Sequence, residues 1–500
     1  MGLEAVKREQ KAEVERVMKG AEEEEEPLSP AARLFRDPWF DVCIVVVIGC
    51  GTKCDTDLIK QGLRRTLINH PRFSSVPVSH GKNNGKMSWV PTNVDLDDHL
   101  IIPDLQPDMD SPDQFVEDYV SELTLSPLNP SRPLWELHIL DMKTSEAMST
   151  GVFRIHHSLG DGASLISLLL ACTRKASDPS AVPTIPRKKR AGLKESGFGL
   201  KWFFLTMWSI FTLIWNTFVD MAWFYATILF VEDTKTPLKG GLQVIPKRFV
   251  HRTISLNDVK LVKSAMNMTI NDVLLGVTQA GLSRYLSRRY ASDDGKSEKT
   301  KGKKNTLPKR LRFRSALVFN VRPTAGIEAL ADMMTKESKV RWGNSLGYVL
   351  VPFAIGLQED PLDYLHQAKA IVDRKKHSFE AVCTFNSSTA VLKLLGSKAG
   401  AYLAHRVFLN TTLCFSNVVG PEEEITFYGH PVTFIAPSVD GLPQALTIHI
   451  QSYGDKMTFA LAIDPSVIPD PHQLCDDLED SFELIKEAAL RRGLFKDRLA

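Results

Sequence analysis

RIHHSLGDGASLI, Arg154–Ile166, sets the reading of the whole chain. Upstream, Gly151, Val152, Phe153 and Ile155 make a short apolar run that predicts a buried strand. Downstream, Ala163 to Ala171 is almost wholly small or aliphatic and is long enough for a buried helix. Between them a tight loop carries His156, His157, Ser158, Gly160, Asp161 and Gly162. A loop held between two packed elements is a good mount for a reactive side chain.

A histidine takes a proton from a hydroxyl near neutral pH because its unperturbed pKa is about 6.5. A second group must orient the ring or fix the loop around it. Asp161 stands four residues beyond His157, so contact with the ring does not follow from spacing; an arginine elsewhere is the alternative partner. Gly162 is expected to allow a close backbone approach or a positive φ. The start of the following helix brings free N–H groups and a positive dipole end, which suit a thioester, a phosphate or a developing oxyanion. A lone His-Asp pair in a loop is more often a structural hydrogen-bond network than a catalytic one. Zinc ligation by His156, His157 and Asp161 is disfavoured, because adjacent strand residues point to opposite faces.

HHSLGDG resembles the HHxxxDG motif of the wax ester synthase/diacylglycerol acyltransferase family, and other stretches resemble it in order. They are Pro27-Leu28-Ser29-Pro30 at the start, Pro133-Leu134-Trp135, Asn271-Asp272-Val273-Leu274, and Ser416-Asn417-Val418-Val419-Gly420-Pro421. The match runs from about Pro27 to the C-terminus and is most similar to the plant branch. The resemblance implies an α/β (α+β) fold of the chloramphenicol acetyltransferase-like kind, with two similar halves, mixed sheets and an active-site channel between them. It implies acyl-CoA as co-substrate, with no permanently bound cofactor and no metal, and a fatty alcohol or diacylglycerol as acceptor. His157 is then the general base, His156 supports it, and Asp161 and Gly162 shape the loop. The alcohol attacks the thioester directly, without an acyl-enzyme. The family also implies residence at the endoplasmic reticulum membrane, with the active site facing the cytosol and the plasma membrane as a second location.

The bulk properties agree with a globular protein. At 500 residues the chain can hold two large domains. Its 61 basic and 59 acidic residues leave a net charge of +2, which gives nucleic-acid binding no overall electrostatic support. Seven cysteines, odd in number and without paired ligand spacing, predict free buried thiols in a reducing compartment.

The chain divides into four parts. Residues 1–26 are charged, end in a glutamate run, lack a secretory signal and read as a disordered acidic tail. Residues 27–176 form the N-terminal half. Strands are expected at Phe40–Gly51, around Trp89-Val90 and at Trp135–Leu140, with helices at Asp55–His70 and Gln114–Leu123. His138 reads as a sheet histidine without catalytic company. Residues 177–241 hold a basic linker with Arg187-Lys188-Lys189-Arg190, then the apolar, tryptophan-rich segment 202–231, whose one charge is Asp220. Trp202–Val219 alone is long enough to cross a bilayer. A single crossing between the halves would separate them across the membrane, so the segment is expected to lie in the interface or to dip in and return. A buried helix pair is the alternative.

Residues 242–500 form the C-terminal half, with a basic loop at 292–314. Asn271 and Asp272 open a helix, where capping is a sufficient reason for them and substrate contact is the alternative. Arg322, after a strand at Ser315–Asn320, is the expected partner of Asp161 by analogy with related acyltransferases. Trp342-Gly343-Asn344-Ser345-Leu346-Gly347 resembles the family's glycine-asparagine turn, near the CoA or acyl channel. Helices are expected at Leu365–His377 and Thr389–Val407. Thr411–Phe415 is expected to deliver Ser416 and Asn417 into a turn closed by Gly420-Pro421. There the two residues either donate hydrogen bonds to a tetrahedral intermediate or serve as plain turn residues. Two rival functions stand beside the main one. Acylation of small metabolites is usually accompanied by a DFGWG block, which the sequence lacks. A non-catalytic lipid-binding protein of the same fold is the other.

Overall fold

The computed structural model describes residues 26–79, 87–105, 110–186, 200–241, 246–293, 307–308, 310–321 and 342–493. The acidic tail before Glu26, the basic run Arg187–Arg190, most of the basic loop 292–314 and Arg322 lie outside the described residues.

The first half runs β1 (Glu26–Pro27), α1 (Pro30–Leu34), β2 (Cys43–Cys50), α2 (Thr56–Arg65), β3 (Ser75–Ser79), β4 (Met87–Pro91), β5 (Leu100–Ile101), α3 (Pro112–Leu123), β6 (Trp135–Leu140), β7 (Ser149–His156), α4 (Gly162–Cys172) and β8 (Thr173–Lys175). The long helix α5 (Leu200–Leu229) follows. The second half holds β9 (Arg248–Ser255), α6 (Leu256–Ala265), α7 (Ile270–Asp293), β10 (Arg314–Asn320), β11 (Leu346–Pro352), α8 (Leu362–Lys376), α9 (Glu380–Leu394), α10 (Gly396–Asn410), β12 (Leu413–Val419), β13 (Ile425–Phe427), β14 (His430–Asp440), β15 (Leu446–Tyr453), β16 (Lys456–Ile463) and α11 (Pro471–Arg491).

A seven-stranded mixed sheet, in the order β5-β6-β7-β2-β14-β13-β8, carries the histidines. Its centre is the run Cys-Ile-Val-Val-Val-Ile-Gly-Cys of β2, whose β-branched side chains suit a strand buried on both faces. β7 pairs antiparallel with β2, setting His156 opposite Cys43. The second sheet, β11-β10-β12-β15-β16-β9, is also mixed: β12 lies parallel to both β10 and β15. The halves are not independent, because β13 and β14 leave the second half and complete the first sheet. At the bulge of β14 against β2, between Val432 and Phe434, Gly49 is required: a Cβ there would come within 2.3 Å of Thr433 Oγ1.

Three expectations change. The stretch read as one helix from Thr389 to Val407 is two, α9 and α10, broken at Leu395-Gly396, where Gly396 takes φ +83°. Segment 202–231 does not turn back. It is one uninterrupted helix, since Leu200–Leu229 contains neither proline nor glycine to break it. At about 1.5 Å per residue it is about 45 Å long. Nor is it a buried pair: Trp202–Phe211 is almost wholly exposed.

Candidate active site

β7 ends at His156, and α4 begins at Gly162, capped by Asp161. The two histidines diverge, as alternation along a strand requires. His156 is buried, and its Nδ1 accepts the Ser158 N–H at 3.1 Å. The Nε2–H therefore donates to Asp41 Oδ1, at 2.7 Å. With both nitrogens committed, His156 braces the loop and is not free to take a proton from a substrate.

His157 turns toward that seam. Its backbone N–H donates to Val42 O at 2.9 Å, and its ring stacks on Phe35 with centroids 4.1 Å apart and planes 16° from parallel. Asn344, from the second half, grips it twice. The Asn344 Nδ2 donates to His157 O at 2.9 Å, and Asn344 Oδ1 lies 3.1 Å from His157 Nδ1. The first bond fixes the amide orientation, because a flipped amide would press two carbonyl oxygens together. Oδ1 accepts only, so Nδ1 carries the ring proton and Nε2 presents a lone pair. Among the described residues nothing hydrogen-bonds that Nε2, and His157 as a residue is only half-buried.

Burial lowers the His157 pKa to about 4. His449 on β15 is likewise lowered to about 4, by burial first and then by His157. Both rings are neutral at pH 7, and a neutral imidazole is the form that accepts a proton. A depressed folded pKa leaves stability intact above the unfolded value near 6.5 and removes it as pH falls from there toward 4. His70, also lowered to about 4 by burial, adds to the same window. Turnover should therefore hold from pH 7 to below 6 and decline only as the fold itself loosens. An activity limb centred on pH 6.5, with an unchanged melting temperature, would contradict this assignment.

Asp161 is fully buried. Its Oδ1 accepts from Ser164 N at 3.1 Å, and its Oδ2 accepts from Ser345 N at 3.0 Å. Its own N–H reaches Gly343 O at 3.4 Å. The carboxylate thus caps α4 and ties it to the 342–345 turn of the second half. The expected partner, Arg322, lies outside the described residues. Gly162 departs from expectation: it has no left-handed backbone, and a Cβ on it would meet only Val418 on β12, at 4.0 Å. What its missing side chain leaves open is the space between α4 and β12.

The remaining motifs sort by position. Leu134 and Trp135 are fully buried, Pro133 is buried, and Leu134 O accepts from His156 N at 3.0 Å. That stretch packs the strand beside the histidines. Asp272 Oδ2 accepts from Thr269 N at 2.7 Å and caps α7. Asn271 instead accepts from Asn417 Nδ2 at 2.6 Å, joining two motifs across the second half. Ser416 and Asn417 lie inside β12 opposite His449 and Ile450, not in a turn beyond it, because Val418 and Val419 prolong the strand. Gly420 then passes so close to β15 that a Cβ would lie 2.2 Å from Ser452 O, and Pro421 O accepts from Gly454 N. His138 bonds Tyr119 within the first sheet's packing. Among the described residues no cluster of His, Cys, Asp or Glu is placed to hold a metal ion.

Phe35, Asn344 and His449 were not identified as site residues from sequence. Asn344 had a signal, in the turn that resembles the family's. Phe35 and His449 had none, since only tertiary packing brings them to the ring.

Two interlocked halves, each with a mixed sheet, and a histidine loop at their seam define a fold of the chloramphenicol acetyltransferase-like class. The sequence profile of the wax ester synthase/diacylglycerol acyltransferase catalytic domain matches residues 51–274, and that of the WS/DGAT C-terminal domain matches residues 342–486. Wax ester synthase/diacylglycerol acyltransferase 11 of Arabidopsis thaliana is 56% identical over 480 residues, which cover 95% of this chain and 97% of that one. The chain belongs to the wax ester synthase/diacylglycerol acyltransferase family. Solved structures agree on the fold alone. A wax ester synthase/diacylglycerol acyltransferase from Marinobacter aquaeolei VT8 gives a TM-score of 0.59 at 19% identity, over 93% of this chain and 99% of its own. The starter condensation domain of rhizomide synthetase RzmA, in complex with C8-CoA, gives 0.53 at 13% identity, over 94% and 96%.

Proposed function

We propose that the chain transfers a fatty acyl group from acyl-CoA to a long-chain alcohol, to diacylglycerol or to both, with His157 as general base. The observation that carries this is the fixed tautomer: Asn344 holds the proton on Nδ1 and leaves Nε2 to receive one. Nε2 takes the proton of the acceptor hydroxyl as its oxygen bonds to the thioester carbonyl carbon. The tetrahedral intermediate then collapses, the C–S bond breaks, and the imidazolium returns the proton to the departing CoA thiolate. Burial that makes His157 a weak base makes its protonated form a correspondingly strong acid for that second step. Ser416 and Asn417 are proposed to face the substrate rather than to form the oxyanion site alone, because Asn417 spends one N–H on Asn271. The test is purified protein with labelled palmitoyl-CoA and, separately, hexadecanol, diacylglycerol and a hydroxylated phenolic. Wax ester or triacylglycerol is expected. Product from the phenolic alone, or no product, would reject the proposal.

Membrane association is proposed to run through α5. Its stretch Trp202–Leu229 is apolar enough to enter a bilayer, and none of its most apolar window is buried. The C-terminal part is fastened to the second half: Asp220 pairs with Lys375 at 3.0 Å and with Arg374 at 2.8 Å, and Asn410 Nδ2 donates to Thr227 O. A helix anchored this way lies in the interface with its aromatic face in the headgroup zone. The endoplasmic reticulum, with the site open to the cytosol, is the proposed residence; seven free cysteines suit that reducing side. Deleting the whole segment would also remove the anchors, so the better variant is Phe204→Asp, Trp208→Asp and Phe211→Asp together. It should fold normally and move from the membrane pellet to the supernatant. Undiminished membrane retention would reject the role of α5.

A further inference from the structure

The α9–α10 hairpin ends in an apolar tip that its own geometry does not require. The bend needs Gly396, with its φ of +83°. It does not need Leu394 and Leu395, which stand 83% and 66% exposed there. Apolar side chains presented side by side at a protruding bend have no stabilising role in the isolated fold and mark a surface with a partner. More apolar groups accompany them on the same two helices. Phe379 and Val382 are exposed near the start of α9, and Tyr402 on α10 meets the exposed Trp39 edge-on, with centroids 5.9 Å apart.

Charge says what the partner is. Between Ala381 and Pro421 the chain carries Lys393, Lys398 and Arg406 and not one aspartate or glutamate. Glu380, just before, is buried and paired with Lys375 at 2.6 Å. Two exposed lysines flanking a pair of exposed leucines suit an anionic phospholipid surface, with cations at the headgroups and leucines below them. The hairpin is also continuous with α5, since both its helices pack against that helix.

The same hairpin reaches the base. α9 and α10 both pack on α1. A Cβ on Gly400 of α10 would lie 3.3 Å from Leu34 Cδ1. The next residue, Phe35, stacks on the His157 ring. The short helix α1 therefore lies between the body of the hairpin and the imidazole.

We propose that the α9–α10 hairpin inserts Leu394 and Leu395 into an anionic phospholipid bilayer and, together with α5, presses the α1 side of the His157 site against the membrane, so that the apolar acceptor reaches the imidazole past Phe35. The proposal rests on the reading that the acceptor is a membrane-dissolved lipid. The test uses the full chain and vesicles of phosphatidylcholine with phosphatidylserine. Leu394→Asp combined with Leu395→Asp should weaken vesicle binding at least about tenfold, since burying a leucine side chain accounts for more than that factor. It should raise the apparent KM for vesicle-embedded hexadecanol by a similar factor. Turnover of a short alcohol dissolved in water should not change, and Leu394→Met with Leu395→Met should behave as the native chain. Lys393→Glu with Lys398→Glu, which leaves the apolar tip intact, should weaken binding to the anionic vesicles and spare pure phosphatidylcholine. Vesicle binding and KM within about twofold of native in both charged variants would overturn the proposal. So would a change from dimer to monomer with vesicle binding intact, which would mean that a second copy covers the tip. Absence of turnover on the dissolved alcohol by the native chain would instead count against the acyl-transfer reading, and the vesicle arm would still report on docking.

Discussion

His157→Ala is expected to lower the rate of ester formation by about 10²–10⁴-fold, the usual contribution of a positioned general base, with little change in melting temperature. Both halves of that expectation come from the geometry. The Nε2 lone pair is the one basic atom that Asn344 leaves unprotonated on the ring. The fold loses little, because Asn344 is only half-buried and water can replace Nδ1–H. The stacked face of Phe35 would be exposed to a small gap, not to a lost core element. Rate and melting temperature measured on the same preparation check this. A variant as active as the native chain would remove His157 from the chemistry, and one that melts far lower would make it a structural residue.

Asp161→Ala is expected to fail in the opposite way, through folding. The substitution removes the cap of α4 and leaves Ser345 N without the carboxylate it donates to. A lost cap costs about 0.5–2 kcal/mol and a stranded buried donor about 1–3 kcal/mol. Together they predict destabilisation of about 1.5–5 kcal/mol, poor soluble expression and a lower melting temperature. Activity should fall with it, because Ser345 adjoins Asn344 and the tie to Asp161 holds that turn against the histidine loop. Asp161→Asn, which can still accept one of the two bonds, should lie between. A soluble Asp161→Ala protein that melts like the native chain would show that the loop is held by something else.

What could be read in the sequence was whatever the local pattern determines. The β-branched run Cys43–Cys50 and the alternation in Trp135–Leu140 specify strands by period alone, and both strands are there. The histidine loop was legible for the same reason: an apolar strand, a polar bend rich in glycine and an apolar helix occur in succession. The fold class came through ordered motifs, not through periodicity. What was not legible depends on partners distant in sequence. Nothing in Ile425–Asp440 announces that it will pair with β2 and β8 across the molecule. Phe35 and His449 carry no mark of their nearness to His157. Two misreadings had local causes that physics explains. The strand at Ser416-Asn417 continues because Val418 and Val419 favour it, and the turn waits for Gly420-Pro421. Of the two alternatives for segment 202–231, to lie in the interface or to dip in and return, the return gives way to helix propensity, since no residue there can reverse the chain, and Asp220 anchors the helix to the second half.

The central claim, direct transfer with His157 as the base, is tested most directly by rapid-quench single turnover. Acyl-labelled palmitoyl-CoA is mixed with excess native protein, with or without hexadecanol, and with His157→Ala in parallel. Labelled ester should form only with native protein and alcohol together, and denatured protein should carry no label in any mixture. Ester appearing equally fast with His157→Ala, or label retained on the native chain before alcohol is added, would contradict the mechanism.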